Sequence, residues 1–185
     1  MSLFRHLPNL LTGLRLAAAP TTAGLLVAGH FNAAFGIFAF AGLSDAADGF
    51  LAKRFNLSTR LGRILDPAAD KALMLAAFLT LAFLGDVPLW LAFLVIARDA
   101  AIIAGLLIAV GLRAPIAIQP LLIGKVCTVV QVVYIGLHLA ALAFELPLTI
   151  PIDAYVVAAV TLASLFAYGG VWLAAMRAVH KKPHA

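Results

Sequence analysis

The chain has 185 residues, of which 64% are hydrophobic and only 11% are charged. A soluble domain carries about 25% charged residues, so this composition excludes an ordinary soluble fold and predicts an integral membrane protein. The net charge of +5 could suggest nucleic acid, but the basic residues are placed as membrane topology requires, and we expect no nucleic-acid partner. The single cysteine, Cys127, permits no internal disulfide and is expected to be a buried thiol.

Six apolar segments are predicted to cross the membrane as helices, each of which takes about 20 mostly apolar residues. They run at about Leu10–Gly29, Ala33–Leu51, Pro67–Leu84, Pro88–Leu112, Leu121–Phe144 and Ile152–Met176. Before them, Met1–Pro8 has an amphipathic pattern that predicts a short interfacial segment. Arg5 ahead of an apolar run also resembles a signal peptide, but the later spans favour an uncleaved first helix. Because there is no long linker or clear repeat, residues 1–185 are predicted to form one all-α membrane domain.

The lysines and arginines predict the orientation. The connections near His30, near Asp86 and between Glu145 and Asp153 contain neither residue. The opposite side collects Arg5, Arg15, Lys53, Arg54, Arg60, Arg63, Lys71, Arg113, Lys125, Arg177, Lys181 and Lys182. Cytoplasmic loops carry an excess of Lys and Arg, so both termini are predicted to be cytoplasmic. A bacterial inner membrane is expected rather than a mitochondrial one, since the chain is short and has no Arg- and Ser-rich transit segment.

Four of the eight acidic residues lie at the inner ends of the second and third spans. Carboxylates beside hydrocarbon are costly and indicate a functional site. Asp45 and Asp48 are three residues apart, and Asp66 and Asp70 are four apart, so each pair shares one face of its helix. Two helices are therefore predicted to present two carboxylates each to a shared cleft that faces the cytoplasm.

Small residues accompany these acids. Gly49 follows Asp48 directly, Ala52 lies one turn further on, and Gly62 precedes Asp66 by four residues. Positions without bulky side chains let a ligand approach the backbone closely. A solvated helix–turn–helix with Asp–Arg pairs is the structural alternative, but it does not explain why glycine and alanine fall on the same faces as the acids.

The clustered carboxylates need positive charge to offset their mutual repulsion. Oxygen ligands without accompanying His or Cys favour Mg²⁺ or Mn²⁺ over zinc. Two such ions about 3.5–4 Å apart would clamp the attacking and leaving oxygens of a phosphoryl displacement. A site that opens beside lipid suits a diphosphate with a lipid tail.

The same stretch resembles the signature of the CDP-alcohol phosphotransferases, which are integral membrane phospholipid synthases. The family pattern is D-x2-D-G-x2-A-R-x8-G-x3-D-x3-D. Every spacing is kept here, at Asp45, Asp48, Gly49, Ala52, Lys53, Gly62, Asp66 and Asp70. The one departure is Lys53 in place of arginine, which keeps the charge but loses the bidentate fork, and Arg54 beside it is a candidate substitute. The resemblance extends from Pro8-Asn9 to the Gly124-Lys125 region.

The resemblance implies a set of residue roles. It implies two divalent metal ions held by Asp45, Asp48, Asp66 and Asp70. It implies a CDP pocket that contains Asp45, Gly49, Ala52, Lys53 and Gly62. Asp70 would also act as the base on the acceptor hydroxyl, which attacks the phosphorus carrying the diacylglycerol group while CMP leaves. The family has six transmembrane helices and usually forms homodimers, so a homodimer is expected.

The acceptor is predicted from finer features. The core resembles cardiolipin synthases that use CDP-diacylglycerol, and it is also similar to phosphatidylglycerophosphate synthases. Arg98 followed by Asp99 is closer to the first group, so phosphatidylglycerol is the preferred acceptor and glycerol-3-phosphate is the alternative. The candidate acceptor or phosphate contacts are Arg15, Arg54, Arg60, Arg98 and Lys125.

Two of these arginines lie inside spans and have alternative interpretations. Arg15 either snorkels to the inner headgroups or faces an anion in the site. Arg98 either pairs internally with Asp99 or contacts the acceptor phosphate with Lys125 as its companion.

A transporter or channel, and a membrane scaffold, are the competing function classes. A transporter would place ionisable groups near the bilayer midplane on several helices. Here the acidic residues cluster at one boundary. A scaffold would not need four aspartates at fixed spacing.

Overall fold

The computed structural model describes the backbone of residues 3–55, 62–111, 121–146 and 153–180. Side chains are described for residues 13–44, 68–111, 121–146, 153–174 and 176–177. Six α-helices follow one another along the chain, with bounds α1 Leu3–Val27, α2 Phe31–Phe55, α3 Gly62–Leu84, α4 Leu89–Gly111, α5 Leu122–Ala143 and α6 Ala154–His180. No strand occurs in these ranges, and the prediction of an all-α fold is confirmed.

The helices that carry the acidic motif are longer than their apolar runs. α2 continues to Phe55, and α3 begins at Gly62, five residues before Pro67. α1 likewise begins at Leu3, so most of the predicted interfacial segment is continuous with the first helix. A proline inside a transmembrane helix removes one backbone hydrogen bond, and such helices tolerate that loss.

Glycines in the left-handed region end two of the helices. Gly29 has φ 75° and Gly85 has φ 91°. After α1, the amide of His30 donates to the carbonyl of Leu25 at 2.8 Å. After α3, the amide of Asp86 donates to the carbonyl of Leu81 at 3.0 Å. Glycine adopts this conformation without steric cost, and the bonds satisfy carbonyls at the helix ends.

The chain divides into two units by its internal contacts. The first comprises Met1–Val87 and Ile135–Ile150. In it, α1 packs against both α2 and α3, and the core includes the fully buried Leu26, Phe78 and Leu81. This unit contains the residues of the acidic motif.

The second unit comprises Pro88–Tyr134 and Pro151–Ala185, and α4 packs against α6 in it. Gly105 on α4 is buried directly against the indole ring of Trp172 on α6. Trp90 and Tyr155 stack with ring centroids 5.6 Å apart. A glycine where two helices touch lets the backbones approach closely, as is typical of helix packing in membranes.

Three helical segments in the described residues are long and apolar enough to cross a membrane, namely Leu89–Gly111, Leu122–Ala143 and Ala154–Ala174. Shorter apolar stretches run over Gly13–Val27 and Phe31–Ser44. Large apolar side chains such as those of Phe83 and Phe166 are exposed, as expected where lipid is the solvent. Six spans, and cytoplasmic termini, stay predictions.

The close contact at Gly105 generates a stability prediction. In the variant Gly105→Ala, the new methyl group overlaps the ring of Trp172, and moving a packed indole costs about 1–3 kcal/mol. The variant should therefore melt at a lower temperature than the unmodified protein in the same detergent. Gly170→Ala on α6 is the matched control, since a Cβ there meets no atom within 4 Å. Equal melting temperatures for the two variants would contradict the packing described for α4 and α6.

Candidate functional site

The acidic motif lies on two helices of the first unit. α2 contains Asp45, Asp48, Gly49, Ala52, Lys53 and Arg54, and α3 begins at Gly62 and contains Asp66 and Asp70. Both helices are continuous through the motif, which is what the predicted pairing of the acids requires. Of these residues, only Asp70 has a described side chain, and Arg60 lies outside the described residues altogether.

Asp70 forms an ion pair with Arg15. The Nη1 atom of Arg15 lies 3.0 Å from the Oδ1 atom of Asp70. The Arg15 side chain is 4% exposed, whereas the Asp70 side chain is 41% exposed. A guanidinium removed from water needs a counter-ion close by, and the last aspartate of the motif provides it. The structure thus brings Arg15 of α1 to Asp70 of α3, while the predicted contact with an acceptor phosphate stays a prediction.

The donor set of the motif fits a hard divalent cation. Its four acidic residues are all aspartates, which offer carboxylate oxygens, the ligand type that Mg²⁺ and Mn²⁺ prefer. The half-exposed Asp70 is accessible from outside the helix bundle of its unit. Among the side chains that the structure describes, no three His, Cys, Asp or Glu residues come together.

Arg98 lies in the second unit, near the middle of α4, and is buried. Its Nη1 atom donates to the Oδ1 atom of Asp99 at 2.6 Å, and its Nη2 atom donates to the hydroxyl of Ser164 at 2.6 Å. The guanidinium carbon also lies 5.9 Å from the centroid of the Tyr168 ring, within the range of a cation–π contact. The internal pair with Asp99 is therefore present, which was one of the two interpretations of this arginine.

Tyr168 connects the Arg98 region to the start of α5. Its hydroxyl accepts a hydrogen bond from the amide of Leu121 at 3.2 Å. A Cβ on Gly124 would lie 2.8 Å from the same hydroxyl oxygen, so the ring packs against this glycine. Lys125, the next residue, is exposed. The structure therefore links Arg98 to the segment that contains Lys125 through Tyr168.

A second polar cluster lies further along the α5–α6 contact. The amide nitrogen of Gln131 donates to the hydroxyl of Thr161 at 3.0 Å and to the sulfur of Cys127 at 3.3 Å. All three residues are buried. The prediction of a buried thiol at Cys127 is confirmed. Polar side chains between membrane helices form interhelical hydrogen bonds, so this cluster stabilises the contact between α5 and α6.

Sequence reasoning missed the contribution of α6. Ser164 and Tyr168 of this largely apolar helix are partners of Arg98, and the sequence assigned them no role. One signal was available. Thr161, Ser164 and Tyr168 are spaced three and four residues apart, which places them on a single face of an otherwise apolar helix.

Comparison with known proteins connects these features to a family. A family profile described as CDP-alcohol phosphatidyltransferase matches residues 5–176. A cardiolipin synthase (CMP-forming) from Rattus norvegicus is 34% identical over 155 residues, which is 75% of this chain and 51% of the rat protein. The Homo sapiens protein of the same name is 33% identical over 155 residues, 75% of this chain and 52% of the human one. The chain thus spans about half the length of these relatives.

A bacterial relative matches more of its own length. A probable phosphatidylglycerophosphate synthase from Mycobacterium tuberculosis is 38% identical over 165 residues, which is 86% of this chain and 74% of the mycobacterial protein. The relatives therefore carry names that differ in the acceptor.

The hydrogen bond between Arg98 and Ser164 generates a second stability prediction. In Ser164→Ala, the buried Nη2 atom of Arg98 loses its acceptor, and an unsatisfied buried donor costs about 1–3 kcal/mol. Thermal unfolding in detergent should show a lower midpoint for this variant. Thr128→Ala is the control, because the Thr128 hydroxyl donates only to the carbonyl of Gly124 in its own helix, at 3.1 Å. A midpoint for Ser164→Ala as high as that of the control would show that Ser164 is not needed by Arg98.

Proposed function

The chain belongs to the CDP-alcohol phosphatidyltransferase family, and we propose that it transfers a phosphatidyl group from CDP-diacylglycerol to an alcohol, with release of CMP. The observation that carries this proposal is the complete spacing of the acidic motif within a match to the family over residues 5–176. The chain is a membrane protein of the transferase class. The site is proposed to lie at the cytoplasmic face of a bacterial inner membrane, in a single catalytic domain that forms a homodimer.

The proposed roles follow the motif. Divalent ions, Mg²⁺ or Mn²⁺, would be held by Asp45, Asp48, Asp66 and Asp70. The CDP group would lie beside Gly49, Ala52 and Gly62, with Lys53 and Arg54 near the diphosphate. When bound, the ions supply positive charge that neutralises the diphosphate and the charge developing on the leaving group.

Asp70 is proposed to take the proton of the attacking hydroxyl. The acceptor oxygen forms a bond to the phosphorus that carries diacylglycerol, the bond from that phosphorus to the CMP oxygen breaks, and the proton moves to the Asp70 carboxylate. The ion pair with Arg15 bears on the position of this carboxylate, since it holds one oxygen near a buried cation, at 3.0 Å. A base held in one orientation loses less entropy when it meets the hydroxyl.

Phosphatidylglycerol is proposed as the acceptor, which makes the chain a cardiolipin synthase. The two mammalian relatives carry that name, and the Arg98–Asp99 pair is the sequence feature that supports it. Glycerol-3-phosphate is the second candidate. It is favoured by the 38% identity to a probable phosphatidylglycerophosphate synthase over 86% of this chain. Arg15, Arg60, Arg98 and Lys125 stay candidates for contacts to the acceptor or its phosphate.

Product identification tests the proposed function. The purified protein, given CDP-diacylglycerol and phosphatidylglycerol, should release CMP and form cardiolipin in equal amounts. In a parallel reaction with glycerol-3-phosphate, little phosphatidylglycerophosphate should form. Mass spectrometry of the lipids and chromatography of CMP provide the readouts. The reverse preference would identify glycerol-3-phosphate as the acceptor. If no CMP formed with either acceptor, both candidates would be rejected.

Asp70→Asn tests the role of the motif. This variant keeps the side-chain volume but loses the charge that a metal ion and a proton both need, so CMP release should fall at least about 100-fold. Asp86→Asn, in the turn after α3, is the matched control and should retain activity. EDTA should abolish the activity of the unmodified protein, and added Mg²⁺ or Mn²⁺ should restore it. Activity that persists in EDTA, or in Asp70→Asn, would reject the metal-and-base mechanism.

A further inference from the structure

A groove runs between α1 and α2 in the first unit. It is defined by Leu14, Arg15 and Thr21 on α1 and by Gly36, Phe40 and Ser44 on α2, and its volume is about 350 Å³. This volume is at the lower end of the range for small-molecule sites. Alanines and Gly36 line much of the groove and leave it open, because they carry little or no side chain between the two helices.

The polar residues of the groove do not make it polar. The hydroxyl of Thr21 donates to the carbonyl of Ala17 at 2.8 Å, and the hydroxyl of Ser44 donates to the carbonyl of Phe40 at 2.6 Å. Both donors are thus directed to the backbone of their own helix. Arg15 is paired with Asp70. What remains in the groove is mainly hydrocarbon surface, which suits an apolar ligand better than a polar one.

The groove follows the two helices and has two unlike ends. On α1 it extends from Leu14 to Thr21, a distance of about 10 Å at 1.5 Å per residue. Its apolar end lies at Gly36 and Thr21. Its other end lies at Ser44, which directly precedes Asp45, and at Arg15, which pairs with Asp70. The groove therefore begins beside the acidic motif and leads away from it along the helices.

We propose that this groove binds one acyl chain of the CDP-diacylglycerol donor. The proposal rests on the proposed function, in which the donor's reacting phosphorus is held at the aspartates. That phosphorus carries the diacylglycerol group, so an acyl chain must leave the site from there. A hydrocarbon-lined groove that starts one residue from Asp45 provides its path, and the same end of the groove lies at the pair of Arg15 with Asp70.

The groove would act by positioning the donor. An acyl chain outside the groove lies in the bilayer, which is equally apolar, so little hydrophobic free energy is gained on entry. Packing between α1 and α2 instead restricts where the attached phosphorus can lie, and small displacements of a reacting atom lower the rate strongly. A change in the groove is therefore expected to alter kcat/KM by an amount that depends on the length of the donor's acyl chains.

Gly36→Leu tests this proposal. A Cβ at Gly36 meets no atom within 4 Å, and Gly36 lines the groove, so a leucine side chain at this position is expected to occupy groove volume. Gly36 lies eight residues from Ser44, about 12 Å along α2. A long acyl chain spans one leaflet, about 15 Å, and would reach this position, whereas a six-carbon chain would end before it. Gly24→Leu on α1 is the matched control, because it has equal space but does not line the groove.

The experiment measures kcat/KM for dioleoyl and dihexanoyl forms of the CDP-lipid donor. Gly36→Leu should lower the value for the dioleoyl donor by at least about threefold and leave the dihexanoyl value unchanged. The dioleoyl kcat/KM of Gly36→Ala should lie between those of Gly36→Leu and the unmodified protein. Gly24→Leu should change neither value, and the melting temperatures of all variants verify that they fold.

Three outcomes would overturn the groove assignment. The first is an unchanged kcat/KM for the dioleoyl donor in Gly36→Leu. The second is an equal loss of kcat/KM with the dioleoyl and dihexanoyl donors. The third is a loss of activity that depends on the chain length of phosphatidylglycerol when the donor is saturating. The last result would assign the groove to the acceptor lipid. Each differs from failure of the proposed function, in which the unmodified protein would release no CMP from either donor.

Discussion

A buried guanidinium needs an adjacent carboxylate, and the pair of Arg15 with Asp70 meets this requirement in the first unit. The pair joins α1 to α3 at the last aspartate of the acidic motif. Arg15 and its neighbour Leu14 also line the groove between α1 and α2. A single interaction therefore connects the residue proposed as the base with the surface proposed to hold the donor's chain.

The second unit uses the same physical rule with a different result. Arg98 is also buried beside a carboxylate, but it donates a second hydrogen bond to Ser164, and its guanidinium lies over the ring of Tyr168. The guanidinium of Arg98 thus has partners on both α4 and α6. The two buried arginines differ in what their partners can do, since Asp70 is half-exposed and belongs to the motif, whereas Asp99 is less exposed and adjoins its arginine in sequence.

Much of the architecture could be predicted from sequence, because apolar runs bounded by polar residues determine where membrane helices begin and end. The all-α fold was predicted, as were the helices that carry the motif. The partner of Arg15 could not be predicted, because it depends on the packing of α1 against α3, fifty-five residues away. The groove was missed for a related reason. An absent side chain, as at Gly36, creates a cavity only when the neighbouring helix leaves the space open. The roles of the motif residues rest on their spacing and on the family, and they stay predictions.

The side-chain hydrogen bonds of the helices can form at different times during synthesis. Thr21, Ser44 and Thr80 donate to carbonyls of their own helices, so these hydroxyls are satisfied as soon as each helix forms. Arg98 and Gln131 instead rely on Ser164 and Thr161 in the last helix. Sixty-six residues separate Arg98 from Ser164, which is about 3–13 s of translation. The hydrogen bond from the buried Nη2 atom of Arg98 to Ser164 can therefore form only after the last helix has been synthesised.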